Sequence, residues 1–72
     1  MTNVNKLKGK IVEKGLSIED LAKTLGIDRA TIYRKLRRNA ETLLIKEANA
    51  IVSALGLTSE ETVSIFFSQL TA

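Results

Sequence analysis

Five basic side chains crowd into ten positions: Arg29, Arg34, Lys35, Arg37 and Arg38, with no acidic residue among them. Fixed cations at that density attract polyanions. The composition removes most competing chemistries. The chain has no His, so the commonest general base and the commonest metal ligand are both missing. It has no Cys, which excludes disulfides and thiolate metal sites. No nucleophile–base pair stands out, so neither an enzyme nor a cofactor nor a small-molecule ligand is expected. Charge is also uneven along the 72 residues: positions 1–40 carry ten Lys/Arg against four Asp/Glu, whereas positions 41–72 carry one against four. One end of the molecule should attract nucleic acid and the other repel it. A basic run alone is ordinarily a solvated face, so its meaning depends on the element that carries it.

Those elements follow from glycines, caps and apolar spacing. Pro is absent, and helix stops must come from Gly and capping residues. Gly15, Gly26 and Gly56 each end a periodic segment and precede Leu or Ile. Gly9 falls inside the first helix and weakens it by roughly 1 kcal/mol relative to Ala. The predicted helices cover about 5–14, 18–25, 29–37, 45–55 and 59–70. Their apolar positions are Val4, Leu7 and Ile11; Leu21, Ala22 and Leu25; Ile32 and Leu36; Ile45, Ala48, Ile51, Val52 and Leu55; and Val63, Phe66, Phe67 and Leu70. Ser17, Asp28 and Thr58 are the N-caps, with Asp20 and Glu61 completing box-like patterns behind Ser17 and Thr58. The expectation is an all-α fold, one compact five-helix domain over residues 1–72. No apolar run approaches the roughly 20 residues needed to cross a bilayer, and no signal-peptide stretch opens the chain.

Two short helices joined through Leu25-Gly26-Ile27-Asp28 satisfy the requirements of a helix-turn-helix, spanning about 17–38. Gly26 permits the positive φ of the turn, Ile27 plugs the corner, and Ala22 is small where the second helix passes close. Leu21, Leu25, Ile27 and Ile32 fix the angle between the helices. The basic run then occupies the second helix, which such a motif offers to the major groove of DNA. Two independent signals therefore coincide at one place.

The segment SIEDLAKTLGIDRATIYRKL over 17–36 resembles the helix-turn-helix of phage Cro and CI-type repressors. The segment IKEANAIVSALGLTSEETVSIFF over 45–67 resembles small regulators of Gram-positive phages and mobile elements. The resemblance implies a five-helix repressor-like domain that represses transcription by binding double-stranded DNA as a dimer, at an operator with two-fold symmetry, in a bacterial cytoplasm. The short chain, without a self-cleaving C-terminal half, suits Cro better than CI. Carried over by position, the base readers are Arg29, Ala30, Thr31, Tyr33 and Arg34. An Arg at position 29 can grip O6 and N7 of guanine, worth roughly 1–3 kcal/mol of discrimination. Ala30 suits a thymine methyl. Tyr33 has packing between helices as its alternative role, and Thr31 has support of the helix N-terminus. Arg37, Arg38 and Asn39 are placed for phosphates, as are Ser17 and Lys35. Lys6, Lys8, Lys10 and Lys14 contribute a general field.

The chain departs from the family pattern at Ile18, where relatives often have Gln, and at Lys35, where many have an apolar residue whose packing Leu36 takes over. Asp28 is a third departure: an acid near DNA, explained as a cap, or alternatively as a cytosine contact. The last helix has more apolar surface than one face can bury. Val63, Phe66 and Leu70 form one line, while Ile65 and Phe67 point elsewhere. Leu44, Ile65, Phe67 and Leu70 are accordingly the expected dimer contact. The rival reading is an antitoxin-like or anti-regulator module that keeps the fold and binds protein.

Overall fold

Short helices need their ends tied down, because a first turn fixes several residues for a single hydrogen bond. The computed structural model describes residues 2–37 and 40–68. Among them lie five helices and no strand: α1 Val4–Glu13, α2 Ile18–Leu25, α3 Arg29–Arg37, α4 Ile45–Leu55 and α5 Ser59–Phe66. None is long and apolar enough to cross a membrane.

The start signals act as side-chain acceptors for unpaired amides. Ser17 and Asp20 form a reciprocal capping box at α2, with bonds of 3.1 and 2.9 Å. Thr58 and Glu61 do the same at α5, at 3.1 and 2.9 Å. Asp28 Oδ1 accepts the Thr31 amide at 2.7 Å, so its cap role holds at the head of α3. Asn3 caps α1 by accepting from the Lys6 amide, which moves the start of that helix to Val4. Leu44 precedes α4 without a side-chain acceptor. There Glu47 supplies only the reciprocal half of a box, accepting the Leu44 amide at 2.8 Å.

Gly26 ends α2 at φ +70°. A Cβ at this position would meet nothing within 4 Å, so its requirement for glycine is torsional rather than spatial. The Ile27 amide then reaches back to the Ala22 carbonyl at 3.0 Å, as in a Schellman turn. The same reach-back, Leu57 to Val52 at 3.0 Å, closes α4. Ala40, between α3 and α4, is the non-glycine residue with positive φ (58°) among those described, and it is buried. That backbone carries strain a glycine would not.

The core is one cluster fed by every helix: Leu7 and Ile11, Leu21 and Ala22, Ile32 and Leu36, Ile51 and Leu55, Ile65 and Phe66. Helix α2 packs on both α3 and α4, and α1 packs on α5. Three expectations need correction. Ile45 lies outside the α4 stripe and is 83% exposed. Ile65, expected at a dimer contact, is wholly buried and offers nothing to a partner, whereas Val63 and Phe67 are exposed. Helix α5 also stops at Phe66, and Leu70 lies outside the described residues. Polar contacts to α1 accompany this facing of α5: half-buried Glu61 pairs with Lys10, and the Asn3 amide donates to the Ile65 carbonyl at 2.7 Å. Ile65, four residues after Glu61, lies on the same side of the helix and is buried with Phe66.

Lys35 also differs from its expected role. Its Nζ lies 3.0 Å from Glu47 Oε1 and donates to the Thr42 carbonyl at 3.2 Å, with only 16% of the side chain exposed. It is a strut between α3 and α4 rather than a free phosphate anchor. Glu47 is itself buried, and its carboxyl is held below the ordinary value chiefly by the Leu44 amide, then by Lys35.

Glu47→Ala should therefore cost about 3 kcal/mol in urea unfolding, because it strands Lys35 and the Leu44 amide together. A second expectation concerns acid. Glu61 is lowered from 4.5 to about 2, mainly by Lys10, and Glu47 is lowered as well. Groups depressed on folding stabilise fully above their unfolded value and lose that contribution as pH falls through the folded one. Stability should thus decline from about pH 4.5 towards pH 2, and Glu61→Gln should flatten the decline when thermal melts are followed across that range.

Candidate nucleic-acid interface

Helix α3 buries just Ile32 and Leu36, which stand four apart on one face. Arg29, Ala30, Tyr33, Arg34 and Arg37 are exposed, and Thr31 is half-buried. A nine-residue helix is about 13 Å long, comparable with the roughly 12 Å width of a major groove. The helix contains no acid to oppose a phosphate backbone.

The head of the helix is ordered by an acid on its neighbour. Glu19, in the first turn of α2, places Oε2 3.1 Å from Arg29 Nε. Tyr33 donates its hydroxyl to the same oxygen at 2.9 Å. The Arg29 guanidinium carbon stands 5.6 Å from the centre of the Tyr33 ring, a cation–π arrangement worth about 0.5–1 kcal/mol at an exposed site. Arg29 nevertheless keeps 74% of its side chain exposed. The Glu19 carboxyl is held below its ordinary value first by its own backbone amide, then by the Tyr33 hydroxyl, with Arg29 adding a smaller attraction. It is therefore charged at neutral pH.

The remaining basic residues divide by position. Arg34 Nη2 approaches Thr31 Oγ1 at 3.5 Å, the outer limit of a hydrogen bond, so its head group stays available. Arg34, Lys35, Arg37 and Thr42 border an open basic depression at the end of α3. Lys8, Tyr33, Leu36 and Arg37 border a second notch, which brings a lysine of α1 to the flank of α3. Lys6 and Lys10 face away from that notch, one turn apart: Lys6 meets Ser64, while Lys10 meets Glu13 and Glu61. Successive even positions on a helix point to opposite sides, so Lys8 separates from its two neighbours.

Of the residues expected to read bases, Arg29, Ala30, Thr31, Tyr33 and Arg34 thus occupy α3, with Tyr33 partly committed to Glu19. Among those expected at phosphates, Arg37 is exposed and Lys35 is withdrawn into its ion pair. The Ser17 hydroxyl accepts within its capping box but can still donate outward. Arg38 and Asn39 lie outside the described residues. Sequence reasoning missed Glu19 and undervalued Lys8. Nothing local signals either one, since each acquires its role from a neighbouring helix.

Comparison with curated proteins and with solved structures gave no match. Comparison with family models gave one over residues 6–66, which takes in all five helices except the first residues of α1: the Cro/C1-type HTH DNA-binding domain. A helix-turn-helix with a basic, acid-free second helix and a family match across most of the chain leave one assignment: this protein belongs to the Cro/C1-type helix-turn-helix family of DNA-binding regulators.

Proposed function

We propose that the protein is a sequence-specific transcriptional repressor of Cro type that binds an operator of two-fold symmetry as a dimer. The observation that carries this reading is the division of α3: two buried aliphatic residues hold it, and Arg29, Ala30, Arg34 and Arg37 are offered outward. In this reading Arg29 and Arg34 address guanine edges in the major groove, Ala30 meets a thymine methyl, and Thr31 and Tyr33 line the same path. Arg37, Arg38, Asn39 and Ser17 hold phosphates, and Lys8 adds to the field from the side.

Dimerisation is assigned to the exposed side of α5 and the Phe67 that follows it. Val63 and Phe67 stand four residues apart, 40% and 52% exposed, and Leu44 is 51% exposed at the head of α4. Two copies related by a two-fold axis would then present their recognition helices to half-sites about 34 Å apart.

In selections from random duplex DNA, Arg29→Ala should relax preference at one base pair in each half-site by roughly 1–3 kcal/mol. Arg37→Ala should weaken all duplexes about equally, and affinity should fall with salt at a slope of about −0.9 per phosphate neutralised. A wild-type protein that shifts no duplex in a gel would point instead to a module of the same fold that binds protein. For the dimer, sedimentation at micromolar concentration should give two copies for the wild type and one for Phe67→Glu. A wild type that stays monomeric even on its operator would remove the dimer from this reading.

A further inference from the structure

We propose that Glu19 is a specificity-determining positioning residue, which preassembles Arg29 and Tyr33 on one carboxylate oxygen so that both enter the groove in a fixed pose. The inference rests on the sequence-specific DNA reading above. Oε2 is ion-paired with Arg29, 3.1 Å from Nε, and accepts from the Tyr33 hydroxyl at 2.9 Å, and the guanidinium stands 5.6 Å from the Tyr33 ring. The three side chains therefore form a closed triangle across the turn, from the first turn of α2 to the first two turns of α3. A long arginine side chain loses considerable rotamer freedom when it grips a base. Here part of that ordering is already present in the free protein.

The geometry also selects which edge of Arg29 is offered. The carboxylate engages Nε, so the terminal nitrogens form the pair of donors that matches O6 and N7 of guanine. The charge of Glu19 has a further effect. An acid beside the groove-facing arginine opposes phosphate, and so lowers affinity for any duplex that does not repay the approach with a base contact. Glu19 thereby raises the ratio of specific to non-specific binding at some expense of total affinity. Asp28, the other acid near the head of α3, is occupied by the Thr31 amide, and Asp20 by Ser17.

The test compares wild type, Glu19→Gln, Glu19→Ala, Arg29→Ala and the double variant Glu19→Ala/Arg29→Ala. Each is put through selection from random duplex DNA, followed by affinities for the selected duplex and a scrambled one. Far-UV dichroism and thermal melts check that each variant folds. Both Glu19 variants should bind scrambled DNA more tightly and lose about tenfold in the selected-to-scrambled ratio, with the loss confined to the base pair that Arg29→Ala relaxes. The double variant should show no specificity loss beyond that of Arg29→Ala. In the free protein, the Arg29 Nε–H resonance should be shifted and slowed in solvent exchange for wild type, and ordinary for Glu19→Gln. If the Glu19 variants bind both duplexes more tightly by the same factor and keep the wild-type preference, Glu19 is only a local charge and the proposal is wrong. An Arg29 Nε–H signal unmoved by Glu19→Gln would overturn it equally. If the wild type itself selects no sequence, the repressor reading fails first and takes this inference with it, whereas a selective wild type matched by its Glu19 variants sinks the inference alone.

Discussion

A recognition helix has to be held firmly while giving away most of its surface. Helix α3 is nine residues long and buries only Ile32 and Leu36. Two aliphatic anchors fix its distance from the core but control its rotation and tilt poorly, because both lie on one line along the axis. The remaining constraint comes from polar contacts at the two ends. At the head, Asp28 caps the first turn and Glu19 gathers Arg29 and Tyr33. Towards the tail, Lys35 reaches into α4 and meets Glu47 and the Thr42 carbonyl. The outward face of α3 is therefore set by side chains that do not themselves face outward.

Helix α2 connects these restraints. It packs on α3 and on α4 alike, so any shift of its Leu21 and Ala22 would move both neighbours. The left-handed turn at Gly26 lets Ile27 fold back on Ala22, and this is what brings α3 across at its angle. Glu47 performs a related double task, since a single oxygen accepts from the Leu44 amide and pairs with Lys35. The start of α4 and the tail of α3 are thereby joined at one buried atom. Charge networks of this kind need every partner satisfied, and no buried side-chain nitrogen or oxygen among the described residues lacks one.

How much of this was legible in the sequence varied with the range of the interaction involved. The bounds of α2, α3 and α4 could be read directly, because Ser17, Gly26, Asp28 and Gly56 act within one turn of themselves. The start of α1 was misplaced by one residue for want of weighing Asn3 as a cap. The errors of facing were larger. Ile45 looked like core because it fits a helical spacing, yet the first turn of α4 turns Glu47 inward, and Ile45, two residues before it and so on the opposite side, is left 83% exposed. Ile65 looked like surface because Val63 and Phe66 offered a tidier apolar line, yet α5 buries Ile65 with Phe66 and leaves Val63 40% exposed, with Glu61 on the Ile65 side paired to Lys10. Lys35 and Glu19 show the same limit within the candidate site. Each depends on a partner from another helix, Glu47 and Arg29 respectively, and apolar periodicity is silent about such pairs.

Those pairings also change the meaning of the charge count. Ten cations in the first forty residues suggest a broad positive field. Folding commits several of them: Lys10 to Glu13 and Glu61, Lys35 to Glu47, and Arg29 in part to Glu19. Lys6 turns towards α5 to meet Ser64. Lys8, Arg34 and Arg37 are left outward around α3, a narrower set than the sequence implies. A field focused this way orients an approaching duplex better than a diffuse one of larger total charge, since attraction between exposed charges fades beyond a Debye length of about 8 Å at physiological salt. The acids that pair with lysines thus do more than stabilise the helices they join. Glu13 and Glu61 offset Lys10 on the α1–α5 side and Glu47 offsets Lys35 towards the tail of α3, so the outward positive field around α3 is carried by Lys8, Arg34 and Arg37.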